Sequence, residues 1–78
     1  MVYPNPNNGK MYLSGFDGND KTTSIEITDV AGKLIYKQQH NINNGLIELN
    51  LPFVSGVYFI HAVNEAGKTQ VQKIVIAN

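Results

Sequence analysis

The sequence predicts an all-β fold, a small immunoglobulin-like antiparallel β-sandwich of six to seven strands. Strand-type runs recur at short intervals between Gly and Asn punctuation. No window keeps apolar residues at helical spacing for three turns, and several runs alternate apolar and polar residues with a period of two. Short strands at this spacing form two sheets packed face to face.

A short edge strand over Val2 to Pro4 opens the chain. The stretch Tyr3-Pro4-Asn5-Pro6-Asn7-Asn8-Gly9 makes a rigid lead-in, because two prolines fix φ and remove donors while Asn and Gly permit a bend. The first full strand runs from Lys10 to Phe16. In the next, Thr22 to Val30, Ile25 and Ile27 point one way and Glu26 and Thr28 the other. The turn Asp29-Val30-Ala31-Gly32-Lys33 suits a type I bend capped by the Asx side chain, with Gly32 in the left-handed region. A strand over Lys33 to Ile42 leads to Asn44-Gly45, two residues tolerant of the positive φ that a tight hairpin needs. In the run Leu46 to Leu51, Ile47, Leu49 and Leu51 oppose Glu48 and Asn50. The next strand is Gly56 to Asn64; over Gly56 to Val63 it is apolar on both faces, with Val57, Phe59 and Val63 on one and Tyr58, Ile60 and Ala62 on the other, as expected of a central strand.

Asn64-Glu65-Ala66-Gly67-Lys68 repeats the turn chemistry of Asp29 to Lys33, although two short turns fall well below what a solenoid needs. The last strand, Lys68 to Ile76, has polar Gln72 and Lys73 between Val71 and Ile74-Val75-Ile76. The period slips there, and a bulge is expected near Lys73.

At 78 residues the chain has room for a single domain, residues 1–78. Six Lys, no Arg and six acidic residues give a formal net charge of zero, which builds no positive field for nucleic acid or an anionic membrane. There is no cysteine, so disulfides and thiol chemistry are excluded. The apolar stretches Gly56 to Val63 and Val71 to Ala77 are too short to cross a bilayer as helices, and no stable membrane insertion is expected. Met1-Val2-Tyr3-Pro4 carries no basic and apolar leader, which fits a fragment cut from the end of a longer chain.

Catalytic constellations are absent from the pattern. His40 and His61 lie in different strands with no metal-ligand spacing around them, so no metal and no cofactor is expected. Ser14, Ser24 and Ser55 lack a Gly-x-Ser-x-Gly context. The carboxylates Asp17, Asp20, Glu26, Asp29, Glu48 and Glu65 are spread over turns and solvent faces rather than paired for acid–base work. Asp17-Gly18-Asn19-Asp20 has some calcium-loop character but lacks the downstream bidentate glutamate, and a turn accounts for it. Seven aromatics and no Trp leave a stacking platform for sugars as the weaker alternative, a surface carbohydrate-binding or adhesive module.

Four pieces in order carry a resemblance: Tyr3-Pro4-Asn5-Pro6 with Gly9 shortly after, Asp29-x-x-Gly32-Lys33-Leu34-Ile35-Tyr36, Gly56-Val57-Tyr58-Phe59-Ile60, and Lys73-Ile74-Val75-Ile76. Together they span nearly all the chain, and the set resembles the C-terminal sorting domain of type IX secretion substrates in Bacteroidota. Leu51-Pro52-Phe53-Val54-Ser55 is more apolar than that family's pattern. The resemblance implies a non-catalytic signal that takes a cargo protein across the outer membrane. It implies transit through the periplasm and arrival at the cell surface or outside, with the outer-membrane translocon and shuttle proteins as partners. It also implies a sortase-like cysteine protease that removes the domain. The motif residues named above are then the expected recognition set. The last strand and its Gly56 to Ile60 neighbour are expected to offer backbone groups for strand addition, with Lys73 as a fixed charge for register; the alternative is that Ile74, Val75 and Ile76 simply close the core.

Overall fold

Seven strands follow one another: β1 (Val2–Tyr3), β2 (Lys10–Leu13), β3 (Thr22–Asp29), β4 (Leu34–Asn41), β5 (Ile47–Asn50), β6 (Gly56–Asn64) and β7 (Thr69–Ile76). They are seen in a computed structural model that describes residues 1–16, 21–65 and 67–78. One sheet has the order β1-β2-β5 and the other β4-β3-β6-β7, with every pairing antiparallel. Each expected strand is present; Gly56–Asn64 keeps its expected bounds and the others are shorter at one or both ends. The segment Asp17 to Asp20 lies outside the described residues, as does Ala66 of the second Asx turn.

Period-two alternation supplies the core. Met11 and Leu13 of β2 and Ile47 and Leu49 of β5 face Ile25 and Ile27 of β3, Ile60 of β6, and Ile74 and Ile76 of β7, all buried. Burying one such side chain is worth about 1.5–3 kcal/mol, so this double row is the main source of stability.

The three turns read from sequence form as their chemistry dictates. Asn43 and Leu46 exchange two backbone hydrogen bonds of 3.0 Å around Asn44 and Gly45, whose φ values are 54° and 72°. In the Asp29 turn the Gly32 N–H donates to the Asp29 carbonyl at 3.0 Å, and Asp29 Oδ1 accepts from Ala31 N at 2.9 Å and Lys33 N at 3.0 Å. The Asn64 turn repeats the pattern: Gly67 N donates to the Asn64 carbonyl at 3.0 Å and Lys68 N to Asn64 Oδ1 at 2.8 Å. Gly32 and Gly67 share a φ of 83°. Asp29→Ala removes both side-chain acceptances and is expected to cost about 1–2 kcal/mol, measured as a lower urea midpoint at unchanged slope.

Two expectations are corrected. The register of β6 with β7 runs unbroken from Gly56↔Ile76 to Val63↔Thr69, so there is no bulge at Lys73. Gln72 keeps the core-facing phase of Ile74 and Ile76 and is half-buried at the rim of the core, where it and Gln70 line a small cleft with Met1, Val2 and Leu13. The irregularity in this sheet falls instead between Ile27 and Thr28 against β4, beside the Asp29 turn. The second correction concerns β6, which is central in its sheet but buried on one face only. Tyr58, Ile60 and Ala62 are buried, whereas Val57, Phe59 and Val63 on the outer face are half exposed. A two-layer sandwich covers each sheet once.

Candidate functional site

The four motif pieces meet at one end of the four-stranded sheet. Thr28 pairs with Leu34 just beyond the Asp29 turn, Asp29 with Tyr58, Tyr58 with Ile74, and Gly56 with Ile76. The row crosses the sheet from the Gly32-Lys33 turn, through β3 and β6, to the end of β7. The opening segment completes it on the far side of β7.

The local chemistry of that last contact follows from strand geometry. β7 is an edge strand, so alternate residues direct their N–H and C=O groups away from β6. The Val75 N–H donates to Asn5 Oδ1 at 2.9 Å, and Asn5 Nδ2 donates to the Lys73 carbonyl at 3.1 Å. The Asn5 carboxamide, one acceptor beside one donor, thus stands where a neighbouring strand's peptide group would stand. Asn7 continues the pairing with its own backbone: its N–H donates to the Val75 carbonyl at 3.0 Å, and its carbonyl accepts from Ala77 N at 2.7 Å. Asn7 and Ile76 form a parallel bridge.

Asn7 is the residue that sequence reasoning missed, having been read only as part of a bend. It is 6% exposed, and its side chain holds the lead-in together: Nδ2 donates to the Pro4 carbonyl at 3.0 Å and Oδ1 accepts from Gly9 N at 2.8 Å. Its only sequence signal is its place ahead of Asn8-Gly9, which marks a turn without saying where the amide goes.

The expected recognition residues divide by environment. Tyr58, Ile74 and Ile76 are buried among the core, with the Tyr58 hydroxyl donating to the Val54 carbonyl at 2.7 Å. Phe53 lies against Tyr58 at 5.3 Å between ring centres and meets Tyr36 edge-on at 6.4 Å. Within the apolar run before Gly56, Leu51 is buried and Phe53 packs against the core, while Pro52 and Val54 are exposed. A side chain at Gly56 would sit against the Tyr58 ring. Gly9 lies beneath Leu51. Tyr3, Pro4, Asn5, Pro6, Gly32, Lys33 and Lys73 are exposed, and Val75 is half buried on the outer face. Tyr3 rests on Tyr12, with ring centres 5.7 Å apart.

The histidines sit apart from this row. The Tyr36 hydroxyl and His40 Nε2 are 2.7 Å apart. Burial lowers the His40 pKa below its ordinary 6.5 and raises that of Tyr36 above 10.0. Both directions favour a neutral phenol donating to a neutral imidazole. A histidine whose pKa is lower in the folded chain holds its proton more weakly there, so acid favours unfolding. Its contribution is present above pH 6.5 and is lost as pH falls from there through the lower folded value. His40→Gln is therefore expected to flatten the decline of the urea midpoint below that pH. On the outer face, Glu26, Thr28, Leu34, His61, Val63 and Thr69 line an open depression of about 370 Å³. Thr28 Oγ1 and His61 Nε2 are 3.5 Å apart there. Among the described residues, no group of three or more His, Cys, Asp or Glu could hold a metal ion.

Compared with known families, residues 1–77 match the model described as secretion system C-terminal sorting domain. No curated protein matches the chain.

Proposed function

Because the chain belongs to the family of secretion system C-terminal sorting domains, we propose that it is a non-catalytic label that directs a cargo protein across the outer membrane and is then cleaved at the cell surface. Members of this family are type IX secretion sorting signals, which send their cargo to the cell surface or beyond. The cargo waits in the periplasm, the translocon and its shuttle proteins bind the domain, and a sortase-like cysteine protease removes it.

The single observation that supports recognition here is the meeting of four separated motif pieces at one sheet end, next to an edge strand. In this reading β7, backed by β6, presents backbone groups for strand addition. Lys73, exposed beside Val75, supplies the charge that fixes register.

The test is export of a periplasm-directed fluorescent reporter fused ahead of this chain, in a Bacteroidota host with and without the type IX translocon. Export confined to the intact strain is the expected result. Retention of a folded fusion in both strains would remove the reading and leave a surface binding module, which polysaccharide titration would then reveal. Lys73→Ala is expected to change stability by less than about 0.5 kcal/mol, since the side chain is exposed, while slowing export. Normal export of that variant would remove the role given to the charge.

A further inference from the structure

Among the described residues, the edge of β7 is occupied over only half its length. Asn5 and Asn7 take the Lys73 carbonyl, both backbone groups of Val75, and the N–H of Ala77. Strand alternation places Val71 and Thr69 in the same outward phase as Val75. The outward groups of Val71 meet no partner among the described residues.

The reason lies in the path of the chain. Tyr3 belongs to β1, which pairs in the opposite sheet, so the opening segment leaves the β7 edge at Lys73. Pro4 and Pro6 have no N–H, so the covered half offers a poor template for a further strand on its outer side.

We propose that the segment from Tyr3 to Asn7 is a latch that divides this edge. It closes the half from the Lys73 carbonyl to Ala77, and it leaves Thr69, Val71 and the Lys73 N–H open to an extended segment of a partner protein. That segment adds as a fifth strand beside β7. The proposal rests on the sorting reading for the partner's nature, a protein of the secretion apparatus.

The open half describes what fits it. Val71 is 59% exposed on the outer face and calls for an apolar neighbour across the new pairing. Gln70 and Gln72, on the inner side, suit a hydroxyl or amide side chain. Lys73 stands where the open half ends and favours an acidic residue opposite it. Asn7 already shows that this edge accepts parallel pairing.

Amide hydrogen exchange followed by NMR tests this on the chain itself. The Val75 amide is expected to exchange about tenfold or more slowly than that of Val71, since only the former is bonded at the edge. The probe is an end-capped synthetic octapeptide of alternating threonine and valine with one terminal glutamate. Added to the wild-type chain, it should slow exchange at Val71 and Lys73 and leave Val75 unchanged. In Asn5→Ala the Val75 amide should exchange about tenfold faster, and the peptide should then protect it as well.

Equal exchange at Val75 and Val71 in the wild-type chain would overturn the latch. Protection by the peptide along β4 in place of β7 would overturn the docking edge. Sedimentation showing a dimer of the chain held at Val71 would give the edge to a second copy and would also overturn the proposal. No arm uses the secretion machinery, so a failed latch leaves the export result standing, and a failed export result leaves the exchange pattern standing.

Discussion

Gly9→Ala is expected to remove about 3 kcal/mol or more of folding stability, the largest loss from a Gly→Ala change among the described glycines. Gly9 has a φ of 106°, which alanine adopts only under strain of about 1–3 kcal/mol. The new Cβ would also run into the backbone carbonyl oxygen of Leu51. That contact has little room to relax, because Leu51 N donates to the Gly9 carbonyl at 2.8 Å and the β2–β5 ladder begins next door at Lys10↔Asn50. A domain of 78 residues has roughly 4–12 kcal/mol of stability, so the variant approaches the threshold of folding. Gly32→Ala is the control. It shares a positive φ, but nothing lies within 4 Å of its Cβ position, and only the strain of about 1–3 kcal/mol applies. Urea denaturation of both variants measures the difference. Equal losses would show that the Leu51 carbonyl yields.

Ile74→Ala has the second large effect, about 2–5 kcal/mol, and it separates folding from recognition in the last strand. Ile74 is fully buried in the motif Lys73-Ile74-Val75-Ile76. Export of a fusion carrying Ile74→Ala is expected to fail because the domain unfolds, as circular dichroism would show. Ile74→Val, which costs about 0.5–1.5 kcal/mol, should keep both fold and export. Set beside Lys73→Ala, the pair assigns each half of the motif: the isoleucines to the core and the lysine to the exposed edge. A fully stable Ile74→Ala domain would contradict the burial described here.

Much of this was legible in the sequence because the signals are local. Ile25 and Ile27 alternate with Glu26 and Thr28, so the buried face of β3 follows from the period of the strand. Asn44-Gly45 and the two Asx-x-x-Gly-Lys turns carry their own φ requirements and internal acceptors, so they form as written. Order and spacing of the motif pieces likewise suffice for family membership. What failed was the polar pair Gln72-Lys73, read as a slip in period. A glutamine on the core-facing phase keeps the register unbroken when it lies at the rim of the core, half-buried beside Val2 and Leu13.

The sequence by itself determined the strands, their turns and the apolar faces that close the core, since each depends on residues a few positions apart. The tertiary structure alone decided that the outer face of β6 goes uncovered and that Asn5 and Asn7 are committed to β7. Asn5 meets Lys73 and Val75 across 68 and 70 positions of chain. A carboxamide offers the same donor and acceptor to any peptide group it meets. Which one it meets is fixed by the order β4-β3-β6-β7, which leaves one strand with unpaired backbone beside the opening segment.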